Sequence, residues 1–374
     1  MYSSIEKYIE YLMKQTTPDK PVWNIEAIRQ GKKMGWNYID GCMMISLINL
    51  WKQTGNQKYF DFVKNFIDYY VDDNGNILGF KKEDYNLDNI NEGRVLFDLY
   101  EATGEEKYLK GIETVYSQIE SQPKNSKGSF WHKAIYHDQV WLDGLFMAQI
   151  FYYRYQKLKN RSIEPILVQF RNVEKYMKDD KTGLYYHGYD ENASMFWANE
   201  KGLSSNFWLR SMGWYIAALS DITSFLDEGS KEKAEFSGYL KHAVDSVLAF
   251  KDSQTNLFWQ VVNYANREGN YLETSGSALI AFAIMRGVNE GILDKSYFEQ
   301  GKAIFDGICK KYLTQNDDGT LSLDGICLVA GLGPEKNPRR DGSYEYYISE
   351  PIVSTDAKGV APFVMAFVEL RKGM

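Results

Sequence analysis

Apolar positions recur along most of this chain with the three-to-four-residue spacing of helices. They predict twelve helices, near 4–16, 36–53, 56–71, 87–102, 105–121, 138–158, 163–178, 206–226, 230–251, 273–289, 295–312 and 355–371. Short Gly/Asp/Asn turns separate them, such as DDNGN at 72–76 and DDKTG at 179–183. Most turns lead into a brief extended aromatic piece. Two kinds of helix alternate. One kind carries charge on one face, as in 105–121 and 230–251. The other is apolar on most sides, as in ALIAFAIM at 278–285 and GVAPFVMAFV at 359–368, the pattern of a helix buried all round.

The buried kind opens on a glycine in its first turns: Gly41, Gly93, Gly144, Gly213, Gly276 and Gly359. The residue before each is Asp40, Glu92, Asp143, Met212, Ser275 or Lys358. TGNQKYF at 54–60 and TGEEKYL at 103–109 also match. A loose repeat of six helical hairpins predicts an all-α double ring, an (α/α)6 barrel of six inner helices inside six outer ones, spanning 1–374 as a single domain. The alternative is a helical solenoid that does not close. In a closed ring the inner-helix N-termini converge at one end, where dipoles and free N–H groups favour an anion. The longest stretches without helical pattern, 179–205 and 313–354, are predicted to wall that mouth.

The 374 residues are 44% hydrophobic and 25% charged, enough for a core without disulfide or metal staples. A net charge of −7 with no basic block excludes nucleic acid as a partner. No apolar run reaches the length of a membrane span, and the N-terminus has no signal-peptide pattern. Cys42, Cys309 and Cys327 form no C-x-x-C pair, which suits buried thiols in a reducing compartment. These features predict a cytoplasmic protein, a monomer or weak homo-oligomer with no membrane partner.

Candidate chemistry gathers in four segments that begin or lead into buried helices. They are 36–41, with Tyr38 and Asp40; 84–93, with Asp88 and Glu92; 131–146, with His132, Lys133 and Asp143; and 197–214, with Trp208, Arg210 and Trp214. His187 lies shortly before the last. Asp143 is set among Trp141, Leu142, Leu145 and Phe146, and desolvation there disfavours its charged form, the condition for a proton donor. The competing reading makes Asp143 a helix cap. Indole faces that stack on sugar rings, carboxyls for proton transfer, and an arginine with histidines describe a site for a small anionic oligosaccharide. Structural roles compete here too: an ion-pair partner for Arg210, satisfied histidines at 132 and 187, core packing for Trp208 and Trp214, and a surface or packing role for His242.

HDQVWLDGLFMAQIF, LYYHGYD, WANEKG and FWLRSMGWY closely resemble the motifs of the unsaturated rhamnogalacturonyl hydrolases, glycoside hydrolase family 105, from about Trp36 to the C-terminus. The resemblance implies the same (α/α)6 barrel. It implies action on lyase-generated pectin fragments that carry a 4,5-unsaturated galacturonic acid at the non-reducing end. The reaction it implies is hydration of the C4=C5 double bond: an acid protonates C4, water adds at C5, and the hemiketal opens. Asp143 matches the general acid/base, and Asp88 matches a second aspartate close to it that influences its protonation. Tyr38, His132, His187, Trp208, Arg210 and Trp214 match the sugar subsite, with Lys133 beside them. No metal or organic cofactor is implied. Asp40 and a longer loop at 328–350 depart from the family pattern, which opens the identity of the leaving sugar. The rival readings are an unsaturated glucuronyl hydrolase on glycosaminoglycan-type fragments, and a sugar epimerase or non-catalytic sugar-binding protein on the same barrel.

Overall fold

The computed structural model describes residues 2–374; Met1, the first residue of the expected barrel, lies outside them. In chain order the α-helices are α1 (Tyr2–Gln15), a short α2 (Ile25–Gln30), then the hairpin pairs α3 (Tyr38–Thr54) with α4 (Gln57–Tyr70) and α5 (Arg94–Thr103) with α6 (Glu106–Ser121). They continue as α7 (Asp143–Leu158) with α8 (Glu164–Tyr176), α9 (Leu209–Phe225) with α10 (Lys231–Leu248), and α11 (Thr274–Asn289) with α12 (Ser296–Tyr312). A short α13 (Tyr344–Ser349) and α14 (Ala357–Lys372) end the array. All twelve predicted helices are present, within about five residues of their predicted ends. The one predicted over 87–102 begins as a 3-10 segment, Leu87–Gly93, before α5.

Helices α3, α5 with its 3-10 lead-in, α7, α9, α11 and α14 pack side by side in that order, and α14 returns against α3. The ring is therefore closed, and the open solenoid is excluded. α3, α9, α11 and α14 are buried nearly along their length, as their all-round apolar pattern requires. α1 lies outside α14, where the Arg371 guanidinium pairs with Glu6 and the Tyr8 hydroxyl donates to Thr355 Oγ1 at 3.1 Å.

The recurring glycines let inner helices approach at the barrel mouth. A Cβ on Gly41 would meet the Glu92 Cα at 2.7 Å, and one on Gly276 would meet Leu209 Cγ at 2.4 Å. At the opposite end, ion pairs tie the inner helices to one another, and Lys52 and Arg286 among them lie in the last turns of α3 and α11, where the helix dipole favours a cation. Arg94 and Arg286 both pair with Asp221, at 2.8 and 2.9 Å, and Lys52 and Arg154 pair with Asp98, at 2.5 and 2.8 Å.

Eight short strands form four antiparallel pairs outside the rings: β1 (Gln139–Trp141) with β2 (Gly188–Asp190), β3 (Phe258–Trp259) with β4 (Leu272–Glu273), β5 (Leu313–Gln315) with β6 (Leu321–Leu323), and β7 (Ile326–Cys327) with β8 (Ile352–Val353). β3 falls in the extended piece LFWQ that follows a turn, whereas LYYH at 184–187 makes only an isolated bridge, Tyr185 to Lys178. No helix among the described residues is long and apolar enough to cross a membrane.

Candidate active site

The β1–β2 pair assembles the centre of the site. Trp141 stands opposite Gly188, and the Leu142 N–H donates to the His187 carbonyl at 3.1 Å. Asp143 and His187 therefore meet although 44 positions separate them: Asp143 Oδ2 lies 3.3 Å from His187 Nε2. The two atoms are close but misaligned, and each is buried without a hydrogen-bond partner. Asp143 is the first residue of α7, and the cap position belongs to Leu142, with no side-chain cap bond. The capping reading is thus overturned, and the acid is left free for other use. His187 is fixed from its other nitrogen, since Nδ1 lies 2.8 Å from the Tyr347 hydroxyl.

A second histidine–aspartate pair sits alongside. The Leu87 N–H donates to the His132 carbonyl at 3.0 Å, which brings the 131–146 stretch against the 3-10 segment. His132 Nε2 is then 3.4 Å from Asp88 Oδ1, and Lys133 Nζ is 2.8 Å from Asp88 Oδ2. Burial alone would lift the Asp88 carboxyl. The Lys133 ammonium, with His132 beside it, outweighs burial and holds Asp88 well below the usual carboxylate range. Lys133 keeps its charge for the matching reason: burial works against the ammonium, and Asp88 restores it. Trp141 joins the two pairs, stacked on His132 at 4.5 Å and edge-on to His187 at 5.4 Å.

Arg210 and Trp208 close the far side. Trp208 faces His187 at 4.8 Å, and its indole N–H donates to Gln260 Oε1 at 3.2 Å. The Arg210 guanidinium lies over the Trp208 ring and donates to Ser275 Oγ at 3.2 Å and to the Cys327 carbonyl at 2.5 Å. Among the described residues no carboxylate lies within 4 Å of this buried cation. Burial works against its charge, and the surrounding Cys327, Glu273 and Tyr38 push its pKa upward on balance. A cavity of about 310 Å³ opens beside Asp88, lined by Tyr38, Lys133, Glu26 and Asn89 among others.

Asp143, Asp88, His132, Lys133, His187, Trp208 and Arg210 thus gather at one barrel end, with Tyr38 close enough to feel the charges of Asp88 and Arg210. Trp214 sits apart, 1% exposed in the core, where its ring packs on Phe146 at 4.6 Å. His242 is exposed on α10. Tyr347 and Gln260 were not singled out from the sequence. Gln260 Nε2 also donates to the Tyr347 carbonyl, at 3.1 Å, so one amide positions both rings that hold His187. The aromatic run YEYY at 344–347 signals a packed segment but not which ring turns inward.

Asp40 is a different kind of acid. It accepts from Trp23 Nε1 at 2.8 Å and from Asn37 Nδ2 at 2.6 Å. Burial pushes its pKa up to about 6. It is a satisfied structural group tying the α2 segment to α3.

A closed helical barrel with a desolvated carboxyl, a second ionised one and aromatic faces at its mouth defines a helical-barrel glycoside hydrolase. The family model described as Glycosyl Hydrolase Family 88 matches residues 4–374, and the chain belongs to that family. A glycoside hydrolase of family 105 from C. acetobutylicum ATCC 824 superposes with a TM-score of 0.90 at 37% identity, over 99% of both chains. The unsaturated rhamnogalacturonyl hydrolase YesR of Bacillus subtilis is 24% identical over 311 residues, 81% of each chain. The unsaturated glucuronyl hydrolase of Bacillus sp. GL1 shares the fold, with a TM-score of 0.70 at 10% identity over 100% of this chain and 97% of its own.

Proposed function

We propose that this glycoside hydrolase removes 4,5-unsaturated galacturonic acid from the non-reducing end of lyase-generated pectin or rhamnogalacturonan oligosaccharides by hydrating the C4=C5 double bond. The observation that carries the reading is the Asp143 carboxyl, shielded at 13% side-chain exposure, with Oδ2 free of any hydrogen bond and facing His187. A shielded carboxyl with a free oxygen is placed to exchange a proton with a bound substrate. Asp143 delivers a proton to C4, and water supplies hydroxyl to C5, giving up its second proton to the carboxylate just formed. The C5 hemiketal then opens to a ketone. C1, left as a hemiacetal, releases the leaving sugar. One water is consumed, and Asp143 ends as it began.

Arg210 supports an acidic substrate, since its buried charge has only neutral oxygens as partners and suits a carboxylate. Asp88, held ionised by Lys133 and His132, supplies a fixed negative charge near the developing cation. The similarity to YesR supports galacturonic acid linked to rhamnose as the substrate class. Replacing Asp143 by Asn is expected to lower turnover of an unsaturated galacturonyl-rhamnose disaccharide by at least about 10²–10⁴-fold while leaving the thermal midpoint and circular dichroism unaltered. Appreciable turnover by a folded Asp143→Asn variant removes the role.

A further inference from the structure

Two adjacent arginines in the 328–350 loop have opposite surroundings. Arg339 donates to Glu350 at 2.7 Å and lies over the Tyr346 ring. Arg340 has no carboxylate within 4 Å among the described residues, although its backbone is firmly held. Its carbonyl accepts from the Gly333 N–H at 2.8 Å, and its N–H donates to the Asn337 carbonyl at 3.2 Å. The Gly333 carbonyl in turn accepts from Trp197 Nε1 at 3.1 Å. The turn that presents Arg340 is therefore built into the mouth.

The guanidinium points toward the site. A methyl group placed on Gly331 would touch Arg340 Nη1 at 3.1 Å on one side and Trp141 Cζ3 at 3.4 Å on the other. Trp141 is the ring that joins the two histidine–aspartate pairs. Arg340 also acts electrostatically on Lys133, Tyr136 and Glu26. The neighbouring acids are already engaged. Asp88 is held by Lys133 at 2.8 Å and Glu26 by Lys358 at 3.1 Å, and Asp341 accepts from the Ser343 N–H at 2.9 Å. Arg340 and Lys133 are thus like charges that act on one another, and the acids around them already have partners. Two such like charges favour an anion from outside.

Resting on the proposed reaction, in which Arg210 takes the carboxylate of the unsaturated ring, we infer that Arg340 binds a second oxyanion on the leaving-group side. The preferred substrates then carry an acidic leaving portion, a uronate or a sulfate ester. A guanidinium forms paired hydrogen bonds with either group.

The test measures kcat/KM by the loss of double-bond absorbance for unsaturated uronyl oligosaccharides with a neutral, a uronate-bearing or a sulfated leaving portion. At least one acidic substrate is expected to exceed the neutral one by about tenfold, the scale of a charge-assisted hydrogen bond. Which acid is preferred identifies the oxyanion. Arg340→Gln is expected to collapse that ratio toward one, chiefly through KM, and Arg340→Lys to retain part of it. Equal efficiency on all three substrates, or a preference that survives Arg340→Gln, overturns the inference and leaves the proposed reaction standing. Failure to turn over any of the three overturns the proposed reaction itself.

Discussion

Two carboxyls at one mouth acquire different characters from their neighbours. Asp88 is an anion because Lys133 and His132 stand against it, whereas Asp143 has one oxygen with no partner at all. Replacing Asp88 by Asn removes a negative charge and leaves the Lys133 cation behind. Neighbouring acids then lose their protons more readily, so the pH–rate profile is expected to move to lower pH. A profile that superposes on the wild type contradicts this coupling. Asp40 supplies a stability test with a definite sign. Its pKa rises from 3.8 to about 6 on folding, so between those values the folded chain holds a proton that the unfolded chain has released. Its contribution is fully present below the unfolded value and is lost as pH rises through about 6. Denaturant titrations across that range are expected to show stability falling with pH, and Asp40→Asn to flatten the fall. An equal slope in the variant excludes Asp40 as its source.

Helix ends carry the information that connects sequence to site. The apolar periodicity located all twelve long helices, and the glycine repeat separated inner from outer ones, because close approach at the mouth leaves no room for a side chain. Gly276→Ala forces a Cβ to within 3.0 Å of the Leu209 backbone carbon, and is expected to cost about 1–3 kcal/mol in denaturant titration. A neutral substitution there shows that α9 and α11 can part. Much of the candidate site was legible for a related reason: Asp143 and Arg210 lie at buried helix starts, and His132 lies in the segment that leads into one. What was not legible depends on pairing across long separations. Tyr347 lies 160 positions from His187, and its hydroxyl contact follows from how α13 folds back. Nothing local in YEYY distinguishes Tyr347 from Tyr344. The state of Asp88 was likewise hidden, because it depends on which cations the 131–146 stretch delivers.

Closure of the ring holds the mouth together, and its seam lies between the first and last inner helices. Lys358, fully buried at the start of α14, pairs with Glu26 of α2 and with Asp356, both at 3.1 Å. Lys358→Ala strands the buried Asp356 carboxylate and is expected to cost about 3–5 kcal/mol in global unfolding. A thermal midpoint unchanged by that substitution contradicts a structural role for this link between α14 and α2. Because α2 and α14 both border the mouth, activity is expected to fall with stability in that variant. The proposed reaction is addition of water across the double bond of an unsaturated uronyl ring. The most direct test is ultraviolet absorbance over time, with the purified protein and a lyase-generated unsaturated galacturonyl-rhamnose disaccharide. The conjugated double bond absorbs and the keto-acid product does not. Absorbance falling in step with release of the second sugar is the predicted result. Release of that sugar at constant absorbance, or a flat trace from folded protein, contradicts it.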